Sequence, residues 1–422
     1  MTSTLRRLRT PLLLGAAGVL LGVGLRRQTS VAARSRRSVG RETHRVVVIG
    51  AGFGGLSAAR SLAQTPGVAL TVLDQNNHHL FQPLLYQVAT AALSAADIAS
   101  PIRDVLADNG EVAVRMERAT GIDTDAREVI CGDRRIAYDT LVIATGSEPS
   151  YFGHEDWSKL APGLKTLDDA LGLRRQILTA FEQAALATDT DECKRLLTFV
   201  LVGGGPTGVE MAGSIAELAR DMLPRDYPKL RGLARVVVVE AEPKLLAHFT
   251  PDLSRYAENQ LRRMGVELRT GVKVTGIAPG GLKLGDEDLI AATVIWAAGV
   301  KATPVAQWLG VAPAHGGQVQ VGPDLQVPGR PGVYVIGDAA LAHGPHGKTL
   351  PGLAAVAKQQ GRYVAQQVRG SLNGSAAARP FRYTDYGSLA TIGRNRAVAQ
   401  IGPTHLIGSP AWLVWRRRTS FS

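Results

Sequence analysis

Two stretches of the sequence have the residue types and spacing that bind the pyrophosphate of a dinucleotide. Each carries three glycines in the pattern G-x-G-x-x-G: Gly50, Gly52 and Gly55 in the first, Gly203, Gly205 and Gly208 in the second. The first glycine permits a tight turn, the second lets a pyrophosphate approach the backbone, and the third allows close packing of helix on strand. The helix that follows presents its N-terminus to the phosphates.

An acidic residue follows each glycine turn at the end of the next apolar run. Asp74 lies 24 residues after Gly50, and Glu240 lies 37 residues after Gly203. A carboxylate at this point accepts a hydrogen bond from an adenosine ribose hydroxyl. Glu240 would repel the phosphate of NADP(H), and Arg235 stands too far back along the strand to neutralise it. The second turn is therefore predicted to bind NADH rather than NADPH.

The elements that hold these residues follow from the hydrophobic pattern. Continuous apolar runs typical of buried parallel strands lie at 46–49, 69–74, 196–202 and 235–240. The helices predicted between them are 56–63 and 209–222. The Pro-rich stretch 223–232 is predicted to be a loop, which accounts for the wider spacing before Glu240. The pattern indicates an α/β protein with two Rossmann-like dinucleotide-binding folds.

Three further apolar strands are predicted, each ending in small residues: 141–146, 294–299 and 333–338. Gly146 and Gly299 would let the backbone pass close to a bound cofactor. Asp338 is placed to bind the ribityl or phosphate region of a flavin, and the alternative is that it caps the next helix. Two dinucleotide folds in one chain favour a tightly held flavin and a nicotinamide that exchanges.

Composition limits the remaining function classes. The 422 residues, enough for two or three domains, carry a formal charge of +12, but residues 1–45 hold +9 of it and residues 416–422 hold +3. The body between them is neutral and is not built to bind nucleic acid. Two cysteines exclude a disulfide framework and any four-cysteine metal site. His78 and His79 lack a third ligand at metal spacing, so no metal site is predicted.

Residues 1–43 precede the first strand and form a basic and apolar appendage. The apolar run 11–25 would span about 22 Å as a helix, less than the roughly 30 Å of a bilayer core. Three interpretations stay open: a cleaved targeting segment, a membrane tether, and a tail without a role.

Several more specific motifs occur in order along the body. They are G-A-G-F-G-G (50–55), H-H-L-F-Q-P-L-L-Y-Q-V-A-T (78–90), A-T-G-S (144–147), Y-F-G-H (151–154), G-G-G-P-T-G-V-E (203–210), V-I-G-D (335–338), K-Q-Q-G (358–361) and Y-G-S-L-A-T-I-G (386–393). Over about residues 44–400 the sequence resembles the type II NADH dehydrogenases. These are single-chain NADH:quinone oxidoreductases that contain FAD and attach to one membrane leaflet.

The resemblance implies a layout and two sets of binding residues. The FAD domain would comprise 44–160 and 301–380, the inserted NADH domain 161–300, and a quinone and membrane segment 381–422. The FAD residues would be Gly50, Gly52, Phe53, Gly54, Gly55, Asp74, Gln82, Thr145, Gly146, Gly337 and Asp338. The NADH residues would be Gly203, Gly205, Pro206, Gly208, Glu240 and Gly299.

The resemblance also implies the reaction, which is hydride transfer from NADH to FAD followed by reduction of a quinone without proton pumping. Glu210 would lie near the nicotinamide and flavin, as an amide contact or a proton-relay group. The alternative is a plain acidic residue in the first turn of a helix.

A helix at 352–370 would start beside the flavin and line the quinone tunnel with Lys358, Gln359 and Gln360. A solvated helix face is the alternative for these three residues. Ala355 stands where many members have a glutamine, so the quinone contact of this chain is open to question.

The end of the sequence bears on the membrane. The segment 411–415, A-W-L-V-W, resembles the start of the family's amphipathic membrane helices, but the chain then ends in R-R-R-T-S-F-S. The resemblance implies peripheral attachment to the cytoplasmic face of the cell membrane, or to the inner mitochondrial membrane in a eukaryote. A homodimer is common in the family, and the sequence does not decide whether one forms here.

Competing functions are weighed by cysteine positions and by motif. Disulfide reductases need a cysteine pair near the flavin, and residues 75–95 contain none. Cys131, read as part of a turn, and Cys193, read as part of a polar linker, give little support to a sulfide:quinone oxidoreductase. A reductase of ferredoxin-like carriers and a poorly active paralogue that binds FAD and NADH remain as alternatives.

Overall fold

The computed structural model describes residues 43–344, 347–375 and 379–419. The hypotheses on a targeting segment or tether fall on residues 1–42, outside the described residues, apart from Thr43 at the boundary. The described residues from His44 onward form one compact unit.

The described ranges contain ten α-helices, and short 3-10 turns join several elements. The helices are α1 Phe53–Leu62, α2 Leu85–Ala89, α3 Ile102–Leu106, α4 Leu167–Leu186, α5 Thr190–Leu196, α6 Pro206–Asp226, α7 Pro251–Arg263, α8 Val305–Trp308, α9 Ala354–Leu372 and α10 Gly408–Thr419.

The strands are β1 His44–Ile49, β2 Val68–Asp74, β3 His78–Leu80, β4 Ala99–Pro101, β5 Val112–Met116, β6 Gly121–Asp123, β7 Glu128–Cys131, β8 Arg134–Ala137, β9 Thr140–Ile143, β10 Ser147–Pro149, β11 Thr198–Val202, β12 Arg235–Glu240, β13 Val266–Thr270, β14 Gly276–Ala278, β15 Gly281–Leu284, β16 Glu287–Ile290, β17 Thr293–Trp296, β18 Val300–Ala302, β19 Val319–Gln320, β20 Val333–Val335, β21 Ala340–Leu341, β22 Ser388–Gly393, β23 Arg396–Ile401 and β24 Thr404–Ile407.

A five-stranded parallel sheet forms the centre of the first nucleotide fold. Its order is β20-β9-β1-β2-β5, and β1 lies in the middle, with Val46 to Ile49 almost completely buried. A strand covered on both faces needs apolar residues at every position, which is why this run does not alternate. Helices α1 and α9 cover one face, and a Cβ on Gly361 of α9 would lie 2.2 Å from the carbonyl oxygen of Gly54.

A four-stranded parallel sheet, β13-β12-β11-β17, forms the centre of the second nucleotide fold. All its strands come between β9 and β20 of the first sheet, so the second fold is inserted in the first. The chain leaves the first sheet through β10 and returns through β18, and these two strands pair antiparallel. The predicted fold class is confirmed, whereas the predicted domain limits stay predictions.

The last described residues form a three-stranded antiparallel sheet, β22-β23-β24, and the helix α10. Ala397 and Ala399 of the sheet and Ala411 of the helix form a small buried cluster, with Trp412 packed at its edge. The helix predicted from 411–415 is therefore present and begins at Gly408. No helix among the described residues is long and apolar enough to cross a membrane.

Three local predictions are wrong in part. The stretch 223–232 is not simply a loop, because α6 continues to Asp226 and a 3-10 turn follows at Pro228–Leu230. Cys131 lies at the end of strand β7 rather than in a turn, and Cys193 lies in helix α5 rather than in a linker. Both cysteines are buried, and an N-cap by Asp189 starts the helix that contains Cys193.

Candidate functional site

The two glycine turns have the same backbone geometry. Gly50 has φ 95° and Gly203 has φ 113°, in the region that side chains rarely adopt. A Cβ on Gly50 would lie 2.4 Å from the carbonyl oxygen of Ala144, and one on Gly203 would lie 2.5 Å from that of Ala297. Each turn therefore lies directly against the strand end that neighbours it in its sheet.

The last glycine of each motif faces the first. A Cβ on Gly55 would lie 1.8 Å from the oxygen of Gly50, and one on Gly208 would lie 1.9 Å from the oxygen of Gly203. Helix and strand thus meet backbone to backbone, as the sequence predicts.

No close contact among the described residues requires a glycine at the middle position of either motif. A Cβ on Gly52 or on Gly205 would meet nothing within 4 Å, and neither residue has a positive φ. The space above each is open at the N-terminus of the following helix, α1 or α6. Such a cradle fits a pyrophosphate, because only a glycine lets the phosphate oxygens reach the backbone there.

The two acidic residues are held in the same way. Asp74 accepts hydrogen bonds from the backbone N–H of Ala51 and of Asn76, both at 2.7 Å. Glu240 accepts one from Gly204 and one from Glu242, the latter at 2.8 Å. Burial raises the pKa of Asp74, although the two N–H donors favour its charged form. Each carboxylate fixes its glycine turn and stands at the strand end where a ribose would lie.

One cavity of about 2130 Å³ extends from the first glycine turn to Pro206 and Thr207 of the second turn and to the C-terminal segment, and its lining does not include the glycines of the second turn. Its wall includes residues 50–54 and Asp74 of the first fold and Pro206, Thr207 and Glu210 of the second. On the C-terminal side it reaches residues 385–389 and Trp415. The cavity is therefore large and continuous enough to bring two cofactors and an acceptor together.

Glu210 lies on α6, where the second fold faces the cavity. Both the backbone N–H and the hydroxyl of Thr391 donate hydrogen bonds to its Oε1, each at 3.3 Å. Burial raises the pKa of the Glu210 carboxyl to about 8, and the two bonds from Thr391 only partly oppose this. At neutral pH the group is therefore largely protonated and can give a proton to a neighbour.

Polar side chains surround Asp338 on the opposite wall of the cavity. The Ser147 hydroxyl donates to Oδ2 of Asp338 at 2.7 Å, and Nζ of Lys165 lies 4.0 Å from the same oxygen. Burial lowers the pKa of Lys165, and Asp338 opposes the effect. Gln82 donates from Nε2 to the carbonyl oxygen of Lys165 at 3.1 Å, which ties the first fold to this segment.

Lys358 lies with its ammonium 5.1 Å from the centre of the Phe53 ring, beside the first glycine turn. Burial, together with the charges of Arg362 and Arg60, lowers the pKa of Lys358. His79 packs edge to face on Phe53 at 5.2 Å, and its Nδ1 lies 2.9 Å from the oxygen of Ala51. Phe53 therefore contacts a basic side chain at the cavity wall.

The two glutamines on α9 point to different surroundings. Gln359 lines the cavity, but its amide is paired with the backbone of Thr384, donating to the oxygen and accepting from the nitrogen, both at 2.9 Å. Gln360 is only 1% exposed, and its Oε1 accepts from the N–H of Gly337 at 2.7 Å. The structure brings Lys358 and Gln359 to the cavity and turns Gln360 away from it, toward the strand end at Gly337.

The remaining predicted residues differ in their relation to the cavity, and of the predicted NADH residues only Pro206 lines it. Thr145 and Gly146 line the cavity, with the Thr145 hydroxyl 2.6 Å from that of Thr303. Gly299 lies outside the lining, and a Cβ there would lie 2.9 Å from the Phe152 ring. Among the described residues, no cluster of three metal-ligating side chains is present. The cavity lining does not include either cysteine.

Sequence reasoning missed three polar residues of the site: Lys165, Ser147 and Thr391. Lys165 stands in an ordinary loop before the helix cap at Thr166, so no pattern signalled it. Ser147 and Thr391 belong to quoted motifs, and membership of those motifs was the available signal.

Comparison with known proteins agrees with this geometry. A family profile described as pyridine nucleotide-disulphide oxidoreductase matches residues 44–361. The chain is 42% identical over 388 residues to the type II NADH:quinone oxidoreductase Ndh of Mycobacterium tuberculosis, which covers 88% of this chain and 82% of that protein. It is 29% identical to the type II NADH:quinone oxidoreductase of Staphylococcus haemolyticus, over 87% of this chain and 92% of that one. The solved structure of NDH2 from Plasmodium falciparum has the same fold, with a TM-score of 0.82, 21% identity, and 90% and 95% of the two chains covered.

Proposed function

This chain belongs to the type II NADH:quinone oxidoreductases, and we propose that it oxidises NADH through a bound FAD and delivers two electrons to a quinone. The observation that carries the proposal is the pair of open glycine cradles, at Gly52 and Gly205, whose folds border one cavity. The first cradle would hold FAD and the second NADH. A single-nucleotide enzyme would have no use for the second cradle.

FAD, when bound, accepts a hydride from NADH and returns the electrons to an acceptor. The chain would hold it through the N-terminus of α1, with Asp74 at the ribose and Asp338, steadied by Ser147, at the ribityl or phosphate region. Lys358 would supply positive charge beside it. The apolar walls of the cavity would keep water away during transfer.

Glu210 would act on the nicotinamide side. Its protonated carboxyl can donate to the nicotinamide amide or supply the proton that accompanies a hydride. The raised pKa of about 8 suits this work, because the acid form prevails at neutral pH and ionises readily when a proton is needed. Pro206 and Thr207 of the same turn would border the bound NADH.

The second cradle favours NADH over NADPH. Two carboxylates, Glu240 and Glu242, stand at the end of β12, where the extra phosphate of NADPH would lie. Arg235 is bound to Glu267 at 2.7 Å at the other end of the strand and is not available to that phosphate. Charge repulsion would therefore weaken NADPH binding.

The quinone would enter from the C-terminal side. The cavity lining includes Leu353, Tyr386 and Trp415, and the exposed large apolar side chains include Leu353, Tyr386 and Leu413. Helix α10 carries Trp412 and three arginines, a composition suited to the interface of an acidic membrane. Peripheral attachment at the cytoplasmic face, or at the inner mitochondrial membrane of a eukaryote, would deliver the quinone to this opening.

The test separates the two half-reactions. NADH is added without oxygen to the purified yellow protein, and a short-chain quinone is added afterwards. We expect the flavin absorbance to bleach with NADH and to recover with the quinone, whereas NADPH should bleach it much more slowly. Bleaching without recovery would point to a different acceptor, and no bleaching would contradict the proposal.

A further inference from the structure

Helix α6 meets the C-terminal strand β22 along a single face. Glu210, Gly213 and Glu217 are three and four residues apart and therefore share that face. Glu210 bonds to Thr391, and a Cβ on Gly213 would lie 1.7 Å from the oxygen of Ile392. Glu217 accepts from the N–H of Arg394 at 2.8 Å. Successive turns of the helix thus meet successive residues of the strand, which fixes the register between them.

The hydroxyl of Thr391 also contacts a third segment of the polypeptide, around Tyr86. It lies 2.8 Å from the hydroxyl of Tyr86, which accepts a hydrogen bond from the amide of Gln87 at 2.9 Å. Tyr86 and Thr391 are 305 residues apart in the chain and are 6% and 3% exposed. Folding alone brings them together.

These bonds have one direction that satisfies every donor. The Nε2 of Gln87 can only donate, so the Tyr86 oxygen accepts from it. The Tyr86 proton then goes to the Thr391 oxygen, the one acceptor within its reach among the described residues. The Thr391 proton is left for Oε1 of Glu210. The chain of donors therefore ends on the carboxyl group.

Few charged groups surround this chain of bonds. Lys165 shares a small cavity of about 100 Å³ with Tyr86, Thr207 and Glu210. On α6, Glu217 is paired with Arg396 of the C-terminal sheet at 3.6 Å. Strand β22 itself contributes no ionisable side chain. Hydrogen bonds, rather than ion pairs, are the principal interactions that hold the Glu210 carboxyl.

We propose that the C-terminal sheet completes the nicotinamide side of the site, with Thr391 as a positioning residue whose hydroxyl, oriented by Tyr86, directs the Glu210 carboxyl and adjusts its proton affinity. The proposal rests on the proposed function for its purpose, but the bonding itself does not depend on which acceptor the enzyme uses. Segment 381–419 is thereby part of the redox site, in addition to any role at a membrane.

The test titrates Glu210 in the oxidised, FAD-loaded enzyme without turnover. The carboxylic-acid band in the infrared spectrum is followed against pH and assigned by its loss in Glu210→Gln. Thr391→Val removes the hydroxyl and keeps the shape and the backbone N–H, and Thr391→Ser keeps the hydroxyl as the matched control. Tyr86→Phe removes the hydroxyl at the far end of the series of hydrogen bonds.

We expect the band to disappear near pH 8 in the wild type, where burial raises the pKa of Glu210 to about 8, and at the same pH in Thr391→Ser. Thr391→Val should titrate about one pH unit higher, because a donor to the charged form is lost. Tyr86→Phe should shift the titration upward by less. Adding Tyr86→Phe to Thr391→Val should change the titration little further, since Tyr86 acts only through the Thr391 hydroxyl.

Titration of Thr391→Val at the wild-type pH would overturn the proposal, as would an equal shift in Thr391→Ser. A wild-type spectrum without a band that Glu210→Gln removes would overturn it too. Failure of the proposed function looks different, because the flavin would then not bleach with NADH whatever the infrared titration gives.

Discussion

The first and second glycine turns have matching backbone contacts at their first and last glycines, but two residues within each turn differ in exposure. In the first turn, Gly54 is buried beneath Ile336 and Ala357, and Phe53 is packed between His79 and Lys358. In the second, Pro206 and Thr207 are exposed. The two residues after the middle glycine are therefore covered in the first turn and open in the second. We infer that this cover separates a resident cofactor from a substrate that comes and goes.

The helices after the turns also have different partners. Helix α1 packs on α9, a helix of its own fold, whereas α6 packs on the C-terminal sheet. In the first fold the helix after the glycine turn is thus covered by an element of the same fold, whereas in the second it is covered by the C-terminal sheet. The predictions below test whether these differences have the consequences described.

The middle glycines offer the largest contrast. Gly52→Val should give a folded but colourless and inactive protein, since the added atoms fill only the space of the phosphate. Gly205→Val should stay yellow, and its KM for NADH should rise about 100-fold. Flavin absorbance, melting temperature and NADH kinetics measure the two outcomes.

Gly172→Val is the control for this pair, because its Cβ also meets nothing within 4 Å but the residue lies on α4, outside the cavity lining. It should keep both flavin and activity. Retention of flavin by Gly52→Val would show that the first turn does not bind the cofactor as described.

Glu210 tests the contribution of the second helix to the chemistry. Glu210→Gln should lower kcat about 100-fold with flavin still bound, because an amide cannot supply the proton. Glu217→Gln, two turns further along the same face, should keep the rate close to wild type. Stopped-flow reduction by NADH distinguishes the two variants, and unchanged kinetics in Glu210→Gln would refute the assignment.

The acidic residues should differ in what they select. Glu240→Gln removes a charge from the second fold, so kcat/KM for NADPH relative to NADH should rise about tenfold. Asp74→Asn, its counterpart in the first fold, should change flavin affinity and leave this ratio as it is. An equal change of the ratio in both variants would mean that the folds have been assigned the wrong ligands.

The smallest effect concerns pH. The pKa of the Glu210 carboxyl is raised to about 8, so the group is protonated below that pH and ionised above it. If the acid form supplies the proton, kcat falls to half near pH 8 and continues to fall as pH rises. Glu210→Gln should lack this limb, and a wild-type rate that is flat from pH 6 to pH 9 would contradict the role.

The sequence was sufficient for features that depend on local spacing. Both glycine turns, their acids and the buried strands before them were predicted because each is determined within a β-α-β unit. The end of α6 was missed, because prolines and charges at 223–232 resemble a loop although α6 continues to Asp226.

Features that depend on distant contacts could not be predicted in this way. Thr391 reaches Glu210 across 181 residues, and no periodicity reports such a meeting. Gln359 and Gln360 are adjacent on one helix, so their opposite surroundings depend on the packing of α9 against Gly337 and Thr384. Motif membership indicated that these segments matter, but packing decides what each side chain does.

The contact between Gly213 and Ile392 has a mechanical consequence. Backbone meets backbone there, with no side chain between them that could change rotamer and absorb a displacement. A force applied to the C-terminal sheet, by a lipid surface or by a fused tag, would be transmitted to α6 and to Glu210 as movement of a stiff body. The C-terminal sheet and helix α10, residues 388–419, are therefore coupled to the helix that carries Glu210 and are not an independent attachment.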